Sequence, residues 1–251
     1  MQHVDVKING SAATLLIRRP ETLGALDPVL IADLQTALGD VHGETKVRGV
    51  ILAGGGPYFS SGLDRGTMDR IAAMDTLDAT SQWFRYWQSW TELVETMLRF
   101  PKPIVAAVDG PAIGAGFGLA LAADMIVAST SASFAAIAPR LGLVGGATAA
   151  LLHFRLGAAA AARWTLTGET IDADAAARIG LTEPPVTSDQ VWVTANAIID
   201  QIALSTPQAI AATRRMLNET IGESLITQLH AAAADSVTLS TAESTVERLT
   251  G

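Results

Sequence analysis

Two apolar runs of strand length, residues 47–53 and 104–108, each stop abruptly at glycine and proline. The first runs into Gly54-Gly55-Gly56-Pro57, the second into Asp109-Gly110-Pro111. Runs without polar alternation suit strands buried on both faces, which belong in a largely parallel sheet covered by helices. Between them, residues 81–99 carry a helical pattern that must end at Phe100-Pro101-Lys102-Pro103, because proline cannot continue a helix and restricts the residue before it. Strand, helix and strand in alternation predict an α/β fold.

The flanking segments extend this reading. Residues 4–8 and 13–18 are β-rich and joined by Asn9-Gly10, a strong hairpin signal. Asp27-Pro28 supplies an N-cap and a first-turn proline for a helix to about Val41. Residues 114–122 read as a helix and 125–128 as a strand, with 64–78 a polar connection. From Gly145 onward strands nearly vanish: residues 158–164, 173–179, 191–204, 207–220 and 222–236 all look helical. The expected organisation is a core over residues 1–190 with a helical C-terminal region, 191–251, packing on it or on a neighbouring subunit.

Composition excludes several classes. With 17 Lys+Arg against 25 Asp+Glu the net charge is −8, which argues against a nucleic-acid partner. The chain has no cysteine, so thiol nucleophiles and Cys-ligated metals are absent, and no His-Glu-x-x-His pattern suggests another metal site. No secretory signal is visible, so a cytoplasmic location is expected. Residues 103–123 approach the ~20 residues a bilayer requires. Asp109, two prolines and four glycines in that stretch point instead to a buried strand, a turn and a tightly packed helix. No Gly-Lys dipeptide occurs, which excludes a Walker-type phosphate loop, and the glycines of Gly110-Pro111-Ala112-Ile113-Gly114-Ala115-Gly116-Phe117-Gly118 are wrongly spaced for a dinucleotide fingerprint. That cluster still offers close backbone approach and free N–H groups at a helix start.

A strand, then Pro57-Tyr58-Phe59-Ser60-Ser61-Gly62-Leu63-Asp64, and later Pro101-Lys102-Pro103, a strand and Asp109-Gly110-Pro111-Ala112-Ile113-Gly114-Ala115-Gly116 follow one another in an order that resembles the enoyl-CoA hydratase/isomerase (crotonase) superfamily. Arg19-Pro20-Glu21-Thr22-Leu23-Gly24-Ala25-Leu26, Ala122-Ala123-Asp124, Leu141-Gly142-Leu143, Leu166-Thr167-Gly168-Glu169 and Ile179-Gly180-Leu181 extend the likeness over most of the chain. The resemblance implies a spiral of ββα units with a C-terminal helical extension, commonly assembled as a trimer or a dimer of trimers. It implies an acyl-CoA thioester as substrate, with coenzyme A as part of that substrate and no permanently bound cofactor.

Carried over by position, the backbone N–H groups of Leu63 and Ala115 would form the oxyanion hole that stabilises a thioester enolate, with Gly114 opening the second helix. Glu21, Thr22 and Leu23 would lie against coenzyme A through backbone atoms, and Ser61 and Gly62 near its adenine and pantetheine. Glu21 is acidic where relatives are often basic, and Gly24 replaces the usual Asn. The larger departure is that Gly118 and Ala138 stand where the two catalytic glutamates of hydratases belong. General acid–base groups contribute roughly 10²–10⁴-fold each, so ordinary hydration is expected to be severely reduced. Tyr86 and Asp64 are the candidate replacements for proton transfer; Asp69 and His153 are weaker ones. Trp83, Trp87 and Trp90 share one face of the helix expected to wall the acyl pocket, and are expected to line a cavity for a bulky or cyclic acyl group. The sequence therefore reads as an acyl-CoA-processing protein acting through oxyanion stabilisation, with a non-catalytic acyl-CoA binder, or a decarboxylase-type variant needing no base, as alternatives.

Overall fold

The computed structural model describes residues 1–220 and 223–250. Strands β1 (Val4–Asn9) and β2 (Ala12–Ile17) form an antiparallel hairpin in which Asn9 pairs with Ala12. Gly10 takes φ 57°, the left-handed conformation a tight hairpin turn needs. Helix α1 (Pro28–Gly43) starts where the Asp27 carboxylate accepts the Leu30 N–H at 2.7 Å. Strand β3 (Gly49–Gly54) follows, then α2 (Arg65–Ala72), capped by Asp64, and the long α3 (Thr76–Arg99), capped by Asp75. The polar segment expected to be a connection thus contains a helix of its own.

Strands β4 (Ile104–Val108) and β5 (Pro111–Ile113), helix α4 (Ala115–Ala122) and strands β6 (Met125–Ala128) and β7 (Ser133–Ala135) come next. The order in the main sheet is β1-β2-β3-β4-β6, and every pairing after the hairpin is parallel. Helices α5 (Gly146–Leu156) and α6 (Ala158–Thr167) precede β8 (Thr170–Asp172), which joins β5 and β7 in a second sheet of order β5-β7-β8. Then come α7 (Ala173–Arg178), α8 (Ser188–Ala203) and α9 (Pro207–Arg215), with a π-turn at Met216–Thr220 interrupting what the sequence reads as one helix. Last are α10 (Glu223–Ser240) and α11 (Glu243–Thr250); Gly222, expected to open α10, lies outside the described residues.

Alternation along β3 explains its unbroken apolar sequence. Val50 and Leu52 join the core under α1 and α3 with Leu34, Leu38, Leu93 and Met97. Ile51 and Ala53 point the other way, into a cluster with Val105, Ala107 and Val127 covered by Val191, Ala195 and Ile199 of α8. Both faces are buried, as the parallel sheet requires. The 190/191 position falls within the first turn of α8, so the helical C-terminal region begins on the back of the sheet. Arg214 fastens it further: the buried guanidinium meets Asp124 at 2.7 Å and donates to the carbonyls of Met97 and Leu98 at the end of α3. No helix among the described residues is long and apolar enough to cross a membrane.

Candidate active site

The segment leaving β3 is held by backbone pairing with β5. Phe59 and Ser60 donate to the Pro111 carbonyl at 2.9 and 3.1 Å, and Ile113 donates to the Ser60 carbonyl at 2.9 Å. This zipper carries Gly62 and Leu63 to the start of α4. A Cβ built on Gly62, where φ is 96°, would lie 2.7 Å from the Ile113 carbonyl oxygen and 3.5 Å from the Ala115 nitrogen. Gly114, at φ 53° and ψ −118°, occupies a region closed to side-chain-bearing residues. Gly62 therefore permits a close backbone approach, and Gly114 a backbone turn, that other residues do not tolerate.

Peptide planarity then aims two amides. The Gly62 carbonyl accepts the Leu26 N–H at 2.7 Å, so the N–H at the other end of that trans peptide, belonging to Leu63, points the opposite way. Likewise the Gly114 carbonyl accepts the Gly118 N–H at 3.0 Å inside α4, which turns the Ala115 N–H outward from the helix N-terminus. Neither the Leu63 nor the Ala115 N–H meets an acceptor among the described residues, and both residues line one cavity. The helix dipole of α4 adds positive potential at the second amide.

That cavity encloses about 60 Å³. Since one water occupies roughly 10–15 Å³ by this measure, the space suits a few waters or a short chain. Ser61, Gly62, Gly114 and the two amides form one end. Trp87 and Trp90 of α3, Ile137, Ala138 and Leu141, and Leu143, Val144, Ala147 and Thr148 at the start of α5 form the walls. Among the described residues, no Asp, Glu, His, Lys or Arg lines the cavity.

The positions expected to lack glutamates differ in surroundings. Ala138 lies on the cavity wall, at the start of a 3₁₀ turn. Gly118 is fully covered: a Cβ there would meet Cζ2 of Trp90 at 2.6 Å and Cη2 at 3.0 Å. The indole, only 1% exposed, fills the space a side chain at 118 would need. Of the tryptophan stripe, Trp87 and Trp90 border the cavity and meet edge-to-face at 6.5 Å. Trp83 does not reach it; its buried ring stacks on Tyr86 with centroids 6.3 Å apart. The aromatic rings occupy volume and leave little for a bulky or cyclic acyl group.

The candidates for proton transfer are placed elsewhere. Tyr86, 3% exposed, accepts the Asp64 N–H at 2.9 Å and donates its hydroxyl proton to the Leu26 carbonyl. Burial pushes this phenol far above the usual tyrosine range. It is thus a neutral clamp on backbone, outside the cavity lining, and not an acid or base at the site. The Asp64 carboxylate is likewise engaged: one oxygen accepts the Thr67 N–H at 2.7 Å and hydroxyl at 2.9 Å, while the other lies 3.3 Å from Arg19. Asp69 pairs with Arg65 on the surface, and His153 borders a separate groove between α5, α6 and α10.

Around the cavity mouth, the Ser61 hydroxyl donates to the Thr22 carbonyl at 2.8 Å and the Ser61 N–H to the Leu23 carbonyl at 2.9 Å. Glu21, Thr22 and Leu23 are therefore one residue removed from the cavity. Leu23 is half-exposed at φ 53°, the one non-glycine residue with positive φ among those described. The Glu21 side chain is exposed and sits 3.4 Å from Arg19. Sequence reasoning missed Arg19, whose buried guanidinium joins Asp27 at 3.2 Å to Asp64 and donates to the Ala25 carbonyl at 2.8 Å. Its place in the Arg19-Pro20 dipeptide was the available signal.

The sequence profile described as enoyl-CoA hydratase/isomerase matches residues 7–248. A solved enoyl-CoA hydratase/isomerase from Mycobacterium paratuberculosis superposes with a TM-score of 0.88 at 25% identity, covering 99% of this chain and 97% of that one. An enoyl-CoA hydratase from Bacillus halodurans does so with a TM-score of 0.89 at 25% identity, covering 98% of each. Among curated relatives, a Thermus thermophilus protein is 32% identical over 143 residues, 57% of this chain and 55% of its own. The 1,2-epoxyphenylacetyl-CoA isomerase of Escherichia coli is 30% identical over 146 residues, 57% of this chain and 54% of its own. The chain spans about half the length of the curated relatives it matches.

Proposed function

Because this chain belongs to the enoyl-CoA hydratase/isomerase family, we propose that the Leu63 and Ala115 amides receive the thioester oxygen of a short-chain acyl-CoA and stabilise its enolate without any protein carboxylate. One observation carries the second half of this reading: Trp90 occupies the space beside Gly118, so nothing at that position can hold a water or a proton. The substrate must then supply its own way into the enolate. Loss of carbon dioxide from a malonyl-type thioester does so: the Cα–carboxylate bond breaks, its electron pair forms the enolate, the negative oxygen rests between the two amides, and a proton from water completes the product. An apolar cavity also favours exchanging a carboxylate for neutral carbon dioxide. Each amide donor contributes on the order of 3–4 kcal/mol to such a transition state.

The second reading is an acyl-CoA binder without turnover, favoured by the absence of any titratable side chain on the cavity lining among the described residues. Steady-state assays with malonyl-CoA and crotonyl-CoA beside calorimetric binding separate the two. Carbon dioxide release from malonyl-CoA with negligible crotonyl-CoA hydration supports the first. Binding with no turnover of either supports the second. Crotonyl-CoA hydration at the rate of an ordinary hydratase overturns both.

A further inference from the structure

Resting on that reading of the two amides, we infer that Tyr86 is the positioning residue that sets the direction of the Leu63 donor. Leu63 forms an isolated parallel bridge with Leu26, in which the Leu26 N–H meets the Gly62 carbonyl at 2.7 Å and the Asp64 N–H meets the Leu26 carbonyl at 3.2 Å. A bridge of one residue has no neighbouring ladder to hold its twist. Tyr86 supplies what the ladder lacks. Its hydroxyl accepts the Asp64 N–H at 2.9 Å and donates to the same Leu26 carbonyl, closing a three-membered ring of hydrogen bonds over the second half of the bridge.

The phenol is held in turn. It rides on the long helix α3, is buried, and stacks against fully buried Trp83. Asp64 is fixed from its other side by Thr67 and by Arg19, so the peptide that follows Leu63 is pinned at both its side chain and its N–H. Peptide planes turn about φ and ψ of the Leu63 Cα that joins them, so the donor keeps its direction only if both are anchored: the first, whose N–H faces the cavity, by Leu26 on the Gly62 carbonyl, and the second by the Tyr86 clamp on the Asp64 N–H. Tyr86 is not among the residues lining the cavity and borders a separate groove between α2 and α3 instead. Its contribution is angular precision, and an amide donor loses strength steeply as its angle to the acceptor closes.

Tyr86→Phe removes the hydroxyl and keeps the ring stacked on Trp83. Infrared difference spectra with crotonyl-CoA carrying ¹³C at the thioester carbonyl read the polarisation directly. The expected result is a carbonyl stretch lowered on binding to the wild-type protein and returned most of the way to its free position in the variant, with affinity for the coenzyme A portion little changed. An equal downshift in both proteins overturns the inference and leaves the proposed function standing. No downshift in the wild-type protein defeats the proposed function instead, and backbone hydrogen exchange then decides the inference alone. Exchange over the peptide containing Leu63 and Asp64 is expected to quicken about tenfold in Tyr86→Phe relative to peptides from β3 and β4. Unchanged exchange there shows that the clamp does not hold this turn. Urea unfolding midpoints of both proteins establish that the variant is folded.

Discussion

Replacing Gly118 by alanine tests whether Trp90 stands in the space where a carboxylate would have to be. In an unhindered helix the change stabilises by about 1 kcal/mol, because glycine loses more backbone freedom on folding than alanine does. Here the new methyl would sit 2.6 Å from Cζ2 and 3.0 Å from Cη2 of Trp90, while Leu151 at 3.7 Å is in ordinary contact. Overpacking of this kind costs about 1–3 kcal/mol. The two effects oppose each other, and the net expectation is a loss of up to roughly 2 kcal/mol, which for a chain of this size lowers Tm by several degrees. Trp90→Phe removes the two crowding atoms, so in that background Gly118→Ala should revert to stabilising. Urea unfolding of the four proteins forms a double-mutant cycle with an expected coupling on the order of 1–3 kcal/mol. If Gly118→Ala stabilises the wild-type protein as much as the Trp90→Phe variant, the indole does not block this position. The reading that Trp90 has taken the space of a side chain at 118 would then fail.

Other consequences follow from the same geometry. Gly62→Ala forces a side chain onto φ 96° and within 2.7 Å of the Ile113 carbonyl, so calorimetry should show at least a tenfold weaker affinity for a short acyl-CoA; unchanged binding would refute the close approach of the two turns. Arg214→Ala strands the Asp124 carboxylate and the carbonyls ending α3, and should cost about 3–5 kcal/mol in urea unfolding; a loss under 1 kcal/mol would show that the contact does not fasten the C-terminal helices. Burial raises the pKa of both tyrosines, Tyr58 and Tyr86, which are the only two in the chain. A phenol kept neutral by the fold contributes stability that is fully present below the unfolded value of about 10 and fades above it as the unfolded chain ionises. In native protein the Tyr86 contribution should therefore be missing from the tyrosinate absorbance step near pH 10, and stability should fall above that pH; a full two-tyrosine step in folded protein would contradict the clamp.

Much of this architecture is legible in the residues themselves. The uninterrupted apolar run of β3 reports burial on both faces, Asp27-Pro28 marks the start of α1, and the glycines at 62 and 114 mark the two turns whose amides face the cavity. What stayed hidden is what depends on distant partners. Strands β5, β7 and β8 have three residues each, too few to display a period, and exist because they pair with one another. Helical spacing places Trp83, Trp87 and Trp90 on one face, but only the packing of α4 and α5 decides which part of that face meets the cavity. Tyr86 was legible as a buried phenol near the site, whereas its partner Leu26 is 60 positions away, so its task as a clamp could not be read from its neighbours in the chain.

A crystal structure with a non-hydrolysable ketone analogue of a short acyl-CoA, which keeps the carbonyl and replaces the thioester sulfur by carbon, tests the oxyanion site most directly. The carbonyl oxygen is expected within about 2.7–3.2 Å of both the Leu63 and the Ala115 nitrogen, with the acyl group against Trp87 and Trp90. A carbonyl oxygen bound by neither amide, or a ligand seated outside the cavity they share, would contradict this placement.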